Sequence, residues 1–174
     1  MSAPASAVRP RTDADLPALV EALRRTHLAN AYPSGWPDDP AGFLAPPAPL
    51  GAWVAQVGGV AVGQVVLRPA PPEGEPLPAW IAASGVPRAE VAVVSRLFVA
   101  PGFQGRGLAR SLFRTAWAEA RSLGRRAILD VHTASAVPIA LYESEAWRQV
   151  ATLAAPWTEA DGRVPQVHVY VSPA

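Results

Sequence analysis

Val91-Ala92-Val93-Val94 is apolar at four successive positions, and this run constrains the fold more than any other feature of the chain. A strand with one solvated face alternates apolar and polar residues, whereas a strand buried on both faces does not. Glu90–Val99 is therefore predicted to be a central strand, ended by Pro101-Gly102. The segment LFVAPGFQGRGLARSL (residues 97–112) then runs through a glycine turn directly into a helix expected over about 107–123. Leu108, Leu112, Ala116, Ala120 and Leu123 line one face of that helix, with Ala109, Phe113 and Trp117 beside them and Arg110, Arg114 and Arg121 opposite. Gly124 is its stop. A second buried strand is expected at Ala127–His132.

The remaining elements follow from spacing and breakers. Val8–Arg11 reads as an edge strand, and Thr12 or Asp13 caps an amphipathic helix over 14–29. Residues 30–50 carry Pro33, Pro37, Pro40, Pro46, Pro47 and Pro49, which forbid a long regular element, although a short helix fits Pro40–Leu44. Ala52–Val57 and Val60–Leu67 flank Gly58-Gly59 and read as a hairpin. Residues 69–89, with five prolines before Gly85, read as an irregular insertion whose Trp80 and Ile81 pack back. A helix capped by Thr133 or Ser135 is expected through Trp147, followed by strands near 148–153 and 166–171. The order β-α-β-β-β-α-β-α-β-β implies a mixed sheet of six to seven strands with helices on both faces, an α/β (α+β) fold. With 174 residues and half of them hydrophobic, one domain over 1–174 can build its own core.

Composition removes several chemistries. No cysteine is present, which excludes disulfides, thiolate zinc sites and a cysteine nucleophile. All 15 basic residues are arginine, so a lysine Schiff base and a Walker-type phosphate loop are excluded. A net charge of +1 gives no case for a nucleic-acid or membrane surface. The start MSAPASAVRPR lacks the apolar core of a signal peptide, and a cytoplasmic protein is expected. Abundant Ala, Pro and Arg without Lys suggests a GC-rich bacterial source.

The junction at 97–112 is where chemistry is expected. The first N–H groups of a helix have no internal partner, and the dipole there amounts to roughly half a positive charge. Such an end takes an anion readily. Gly105 and Gly107 allow the backbone to approach a phosphate, while Arg106 and Arg110 add charge. A dinucleotide-binding turn fits poorly, because the sequence is Gly105-x-Gly107-x-x-Arg110 where a third glycine is wanted. A strand-to-helix turn that needs glycine for geometry alone is the competing reading.

Gln104-x-x-Gly107-x-Ala109 resembles the Q/R-x-x-G-x-G/A signature of the GNAT acyltransferase superfamily. Leu97-Phe98-Val99-x-Pro101 is similar to the approach along that family's fourth strand, and Ala140-Leu141-Tyr142-Glu143-x-x-Ala146-Trp147 to its A-L-Y-E-x-x-G-F/W segment. The resemblance implies the GNAT fold, with the fourth and fifth strands splayed apart, and acetyl-CoA as co-substrate. It also implies that the backbone of Leu97, Phe98 and Val99 pairs with the pantetheine arm. The amides of Gln104, Gly105, Arg106, Gly107, Leu108 and Ala109 would hold the pyrophosphate, with Arg110 beside it. Tyr142 would act as general acid toward the departing thiolate, since a phenol can donate a proton to developing negative sulfur. Packing in the core is the alternative role for Tyr142.

Two positions depart from the family pattern: Ser135 stands where an asparagine is frequent, and Ala146 where glycine precedes the last aromatic. Val93 stands where many relatives carry a glutamate that serves as base. An amine of lysine-like pKa is neutral in only about one molecule in a thousand at pH 7, so its proton must be removed before attack. Glu90, His168, His132 and ordered water are candidates, and none is assigned. Tyr32 and Trp36, with Phe43 and Trp157, are candidates for the wall of the acceptor pocket, and His168 for facing it. His27, His132 and His168 show no metal-ligand spacing, so no metal is expected. The implied function is N-acetyl (acyl) transfer to an amine of a small molecule or peptide by a monomer or homodimer. The alternative is a non-catalytic acyl-CoA-binding regulatory module.

Overall fold

The structure is a computed structural model and describes residues 2–174. Its strands are β1 (Ser6–Pro10), β2 (Gly51–Val57), β3 (Val60–Pro69), β4 (Val91–Val99), β5 (Arg126–His132), β6 (Arg148–Ala154) and β7 (Gln166–Val171). The helices are α1 (Leu16–Asn30), α2 (Pro40–Leu44), α3 (Ala79–Ala82), α4 (Leu108–Ser122) and α5 (Ala136–Ser144). The strands form one seven-stranded mixed sheet in the order β1-β2-β3-β4-β5-β7-β6, with helices around it. No helix among the described residues is long and apolar enough to cross a membrane. The described residues form two compact units, 2–68 with 94–119 and 69–93 with 120–174, so β4 contributes to both.

In the first unit, β1, β2 and β3 are antiparallel, and the hairpin closes on Val57↔Val60 through Gly58 and Gly59 at φ 58° and 82°. Two successive positive φ angles match the right-handed twist of the strands they join, which is why this dipeptide makes the turn. A 3-10 turn (Asp13–Asp15) starts the chain into α1. The Arg9 guanidinium grips Asp15 there (Nη2–Oδ1 2.6 Å, Nη1–Oδ2 2.8 Å), and the N–H of Thr12 donates to the same carboxylate at 2.8 Å. Leu19 and Leu23 of α1, Leu44 of α2, Val54, Phe98 and Ala100 form the core, with Tyr32, Phe43 and Phe103 packed on it. Each large aliphatic or aromatic side chain buried in this way stabilises the fold by roughly 1.5–3 kcal/mol.

In the second unit, β4 and β5 pair in parallel from Val91↔Arg126 to Val93↔Ile128. β7 lies antiparallel between β5 and β6. Val91 and Val93 pack with Ile128, Val171 and Ile81, so the continuous apolar run is a central strand buried in the core. The predicted insertion contains more order than its prolines suggest. It holds α3 and a 3-10 turn at Arg88–Glu90, and β4 begins at Val91, after Glu90. Ile81 is buried, and Trp80 packs against the same cluster. Prolines offer carbonyls but no N–H, and here Arg88 supplies the missing donors. Its guanidinium reaches the carbonyls of Pro71, Pro72 and Glu75 at 2.6, 2.9 and 2.9 Å.

Two helix ends differ from expectation. Leu123 does not belong to the buried face of α4: it is 45% exposed, because the helix stops at Ser122. Gly124, at φ 67°, closes it, with Arg125 N–H on the carbonyl of Ala120 at 2.9 Å and Gly124 N–H on that of Arg121 at 3.0 Å. The other helix, α5, ends at Ser144, short of Trp147, since Ala146 takes the left-handed conformation at φ 62°.

Candidate functional site

The strand that enters the turn has one edge committed and one edge turned outward. The Ala100 N–H donates to the Val62 carbonyl at 2.8 Å, and the Phe98 carbonyl lies against Gly63, where a Cβ would collide with it. Backbone groups alternate sides along a strand, so Phe98 and Ala100 serve β3 while Leu97 and Val99 face the opposite edge. On that edge the Val99 carbonyl accepts from Gln104 Nε2 at 3.1 Å. Of the three residues expected to pair with an extended ligand, Leu97 and Val99 thus turn their backbone groups to the edge away from β3. Phe98 contributes its ring, 6.2 Å from that of Tyr32.

The turn itself is built on positive φ. Gly102, Gly105 and Gly107 stand at φ 88°, 77° and 78°, a region L side chains rarely enter. A Cβ added at Gly105 or Gly107 would meet no atom within 4 Å, so backbone conformation requires glycine there and packing does not. Arg106 folds over the Phe103 ring (5.5 Å) and Arg25 Nη2 donates to the Pro101 carbonyl (3.1 Å), bracing the turn from outside. Ser111 N–H on the Gly107 carbonyl at 3.0 Å is the first bond of α4 of its kind. The amides of Leu108, Ala109 and Arg110 precede it and have no i−4 acceptor within the helix. Gly105, Arg106, Gly107 and this helix start therefore form an anion-seeking end with partial positive charge. The Leu108 side chain is buried and anchors the start of the helix.

Upstream of that edge, β4 carries a feature the sequence did not announce. Arg96 stands at φ 54°, in the middle of a strand. Its guanidinium lies 3.9 Å from the centre of the Phe43 ring, and its Nε donates to the Phe43 carbonyl at 3.0 Å. The next carbonyl, of Leu44, accepts from Arg11 Nη1 (2.6 Å) and from buried Gln64 Nε2 (3.1 Å). Burial, opposed by Asp13 and Asp15, holds the Arg11 guanidinium below its ordinary pKa. The candidate acceptor-wall residues part company here. Tyr32 and Phe43 pack on the core beside β4, whereas Trp36 lies against His27 (5.6 Å) in a groove with Val20, Arg24 and Leu28. His27 Nδ1 is held by the Pro33 carbonyl at 2.6 Å.

In the second unit, Tyr142 is buried, with only 7% of its surface exposed. Its ring lies 5.9 Å from that of Tyr170 and 6.5 Å from that of Trp147, and His168 meets Tyr170 edge-on at 6.5 Å. Tyr142, Tyr170 and His168 thus form a row of rings. The Tyr170 hydroxyl donates to Glu143 Oε1 at 2.9 Å. Burial first, and then the Glu143 carboxylate, push its pKa up to about 12, so it stays protonated. His168 Nδ1 shares a 2.8 Å hydrogen bond with Thr152 across the β6–β7 pair. His132 is occupied on both nitrogens: Nδ1 accepts from the Ala134 N–H at 3.0 Å, and Nε2 lies 3.1 Å from Glu159. Accepting at Nδ1 requires the proton at Nε2, which makes Glu159 the acceptor. Glu90 is exposed in its 3-10 turn, Val93 is buried, and Ser135 caps α5 without a side-chain hydrogen bond. Nothing in the sequence pointed to Glu159 or Glu143 as partners, because their contacts span 27 residues.

The relatives agree with this architecture. A sequence model of the acetyltransferase (GNAT) family matches residues 16–146. No curated protein matches the chain in sequence. Among solved structures, Arabidopsis thaliana NAA60 in complex with acetyl-CoA superposes with a TM-score of 0.74 at 18% identity, over 96% of this chain and 97% of that one. The putative acetyltransferase yncA of Salmonella typhimurium, solved with acetyl-CoA, gives 0.70 at 21% identity, covering 96% and 92%. The ribosomal-protein-S18-alanine N-acetyltransferase of Escherichia coli gives 0.70 at 19%, covering 97% and 94%. At these identities the neighbours establish a shared fold, and the family match supplies the activity class. The strand, turn and helix of residues 91–122 lie inside the matched span, and the chain belongs to the acetyltransferase (GNAT) family.

Proposed function

We propose that the protein transfers the acetyl group of acetyl-CoA to an amine of a small molecule or peptide by direct attack. The turn carries this reading, because glycines at φ 77° and 78° open onto a helix start whose first amides seek an anion. In this reading Gln104 to Ala109 hold the pyrophosphate with Arg110 beside it, and the outward backbone of Leu97 and Val99 pairs with the pantetheine arm. The amine nitrogen forms a bond to the thioester carbonyl carbon, and the C–S bond breaks. The departing sulfur takes its proton from the Tyr142 hydroxyl, the role that the family's motif gives this position. The amine's proton leaves to solvent or to a base that we do not assign. One neighbour, named for the alanine of ribosomal protein S18, supports an amine acceptor on a protein, and NAA60, solved with acetyl-CoA, supports the donor. We place the protein in the cytoplasm, with which a chain without cysteine is compatible, as a monomer or homodimer.

Acetyl-CoA titrated into the purified protein should raise its melting temperature, by about 2.7 kcal/mol of added stability at a hundred times Kd. Thiol release should then appear with at least one member of a panel of amino acids, polyamines, aminoglycosides and N-terminal peptides. No thermal shift would remove the acetyl-CoA reading. A shift without thiol release from any amine would favour the alternative, an acyl-CoA-binding regulatory module, to which Val93 in place of the family's glutamate lends support.

A further inference from the structure

We infer that Arg96 is a positioning residue that couples the donor edge of β4 to the acceptor-side segment α2. Arg96 is an arginine in the left-handed conformation (φ 54°) inside a strand, a placement that costs of order 1–2 kcal/mol for a residue with a Cβ. Glycine would remove that cost, so the side chain must return something. What it returns lies in α2, where the planar guanidinium covers the Phe43 ring at 3.9 Å and its Nε takes the Phe43 carbonyl at 3.0 Å. A guanidinium can stack and donate at once because its donors lie in the plane that stacks, which an ammonium cannot imitate.

The coupling follows from what else holds α2. Its last two carbonyls are those of Phe43 and Leu44. The Leu44 carbonyl is tied to Arg11, just past β1, and to Gln64 of β3. The Phe43 carbonyl is tied to Arg96, whose backbone continues directly into Leu97, the first residue that presents its backbone to the arm in the proposed function. A ligand that hydrogen-bonds to the Leu97 amide and carbonyl fixes the backbone torsions on either side of that peptide unit. The torsions of Arg96 aim the guanidinium at Phe43. Ordering the donor edge therefore acts on the Phe43 carbonyl and ring through Arg96, a directional link beside the apolar packing of Leu44 and Phe43 with Phe98. The acceptor-side segment is thus set in place by donor binding.

This inference rests on the proposed use of acetyl-CoA, and its test separates the two. Amide hydrogen exchange of the full chain would be followed with and without saturating acetyl-CoA, with binding measured in parallel by calorimetry. In the wild type, acetyl-CoA should slow exchange of the Phe43–Ala45 amides at least about fivefold. In Arg96→Gly, which accepts the backbone angle without strain, acetyl-CoA should still bind, but the slowing at 43–45 should fall to within about twofold of none. Arg96→Lys should behave like Arg96→Gly, since charge alone does not restore the stack. Should Arg96→Gly fold poorly, Phe43→Leu removes the stacking partner without changing a β4 residue and should lower the slowing at 43–45 at least about twofold, the carbonyl bond remaining. Binding with unchanged exchange at 43–45 in the wild type would overturn the inference, as would full protection persisting in Arg96→Gly and Phe43→Leu. Absence of calorimetric binding in the wild type would instead overturn the acetyl-CoA reading beneath it.

Discussion

The Trp147 N–H donates to the Tyr142 carbonyl at 3.1 Å, and this bond closes α5 over Ala146 at φ 62°. Ala146 N–H on the Glu143 carbonyl at 3.0 Å completes a six-residue closure. The same closure ends α4, where Gly124 occupies the equivalent position at φ 67°. Glycine enters that region freely, whereas alanine pays for its Cβ. Ala146→Gly should therefore stabilise the protein by about 0.5–1 kcal/mol, even after the entropy glycine adds to the unfolded chain. For a chain of this length that is a rise in melting temperature of about 1–4 °C. Thermal unfolding checks it, and a lower melting temperature would show that Ala146 is not strained.

Gly107→Ala should weaken acetyl-CoA binding about tenfold or more, because the turn must shift its amides to relieve φ 78°. Nothing lies within 4 Å of the added methyl, so lost packing cannot be the cause. Gly59→Ala supplies the control. It imposes the same conformational penalty at φ 82° in open space, at the β2–β3 hairpin. Calorimetry should show acetyl-CoA affinity unchanged in Gly59→Ala while both variants lose similar stability. Equal losses of affinity in the two would mean that Gly107 acts only through general destabilisation.

The parts of this protein that could be read from sequence are those whose signal is local. The four-residue apolar run marks a buried strand because alternation is absent, and Gly58-Gly59 and Gly124 mark turns because their backbone angles exclude most other residues. Arg96 gave no such signal. Arginine is common on solvated strands, and its partner Phe43 lies 53 residues away. Ala146 misled for a related reason: alanine favours helix, so periodicity carried α5 on to Trp147, past its true end at Ser144. Trp36 has the size of a residue that wants burial, yet it is 40% exposed beside His27, because the prolines around it set the path of the loop.

Asp15 should make stability depend on acid pH. Hydrogen bonds from Arg9 lower its pKa to about 2, against the opposing effect of burial, and the Thr12 N–H adds to the lowering. A depressed carboxyl pKa contributes stability that is fully present above the unfolded value of 3.8 and is lost as pH falls through about 2. The urea midpoint of the wild type should thus fall across that window more steeply than that of Asp15→Asn. The two midpoints should differ most near neutrality and converge toward pH 2. Parallel curves would mean that the Arg9–Asp15 pair does not hold the 3-10 turn in solution.

Tyr142→Phe isolates the hydroxyl at the position the family motif assigns to proton donation. The ring is retained, and with it the contacts to Tyr170 at 5.9 Å and Trp147 at 6.5 Å, so the fold has little reason to change. General acid assistance is worth about 10²–10⁴ in rate, and kcat for thiol release should fall by about a hundredfold or more. The acetyl-CoA Kd should stay within about threefold, since a proton given to departing sulfur stabilises the transition state and not the bound donor. A fall in kcat with Kd held is the signature of catalysis. If Kd rises and kcat stands, the hydroxyl serves binding alone. If neither changes, Tyr142 is a core aromatic, and the proton reaches the thiolate from solvent.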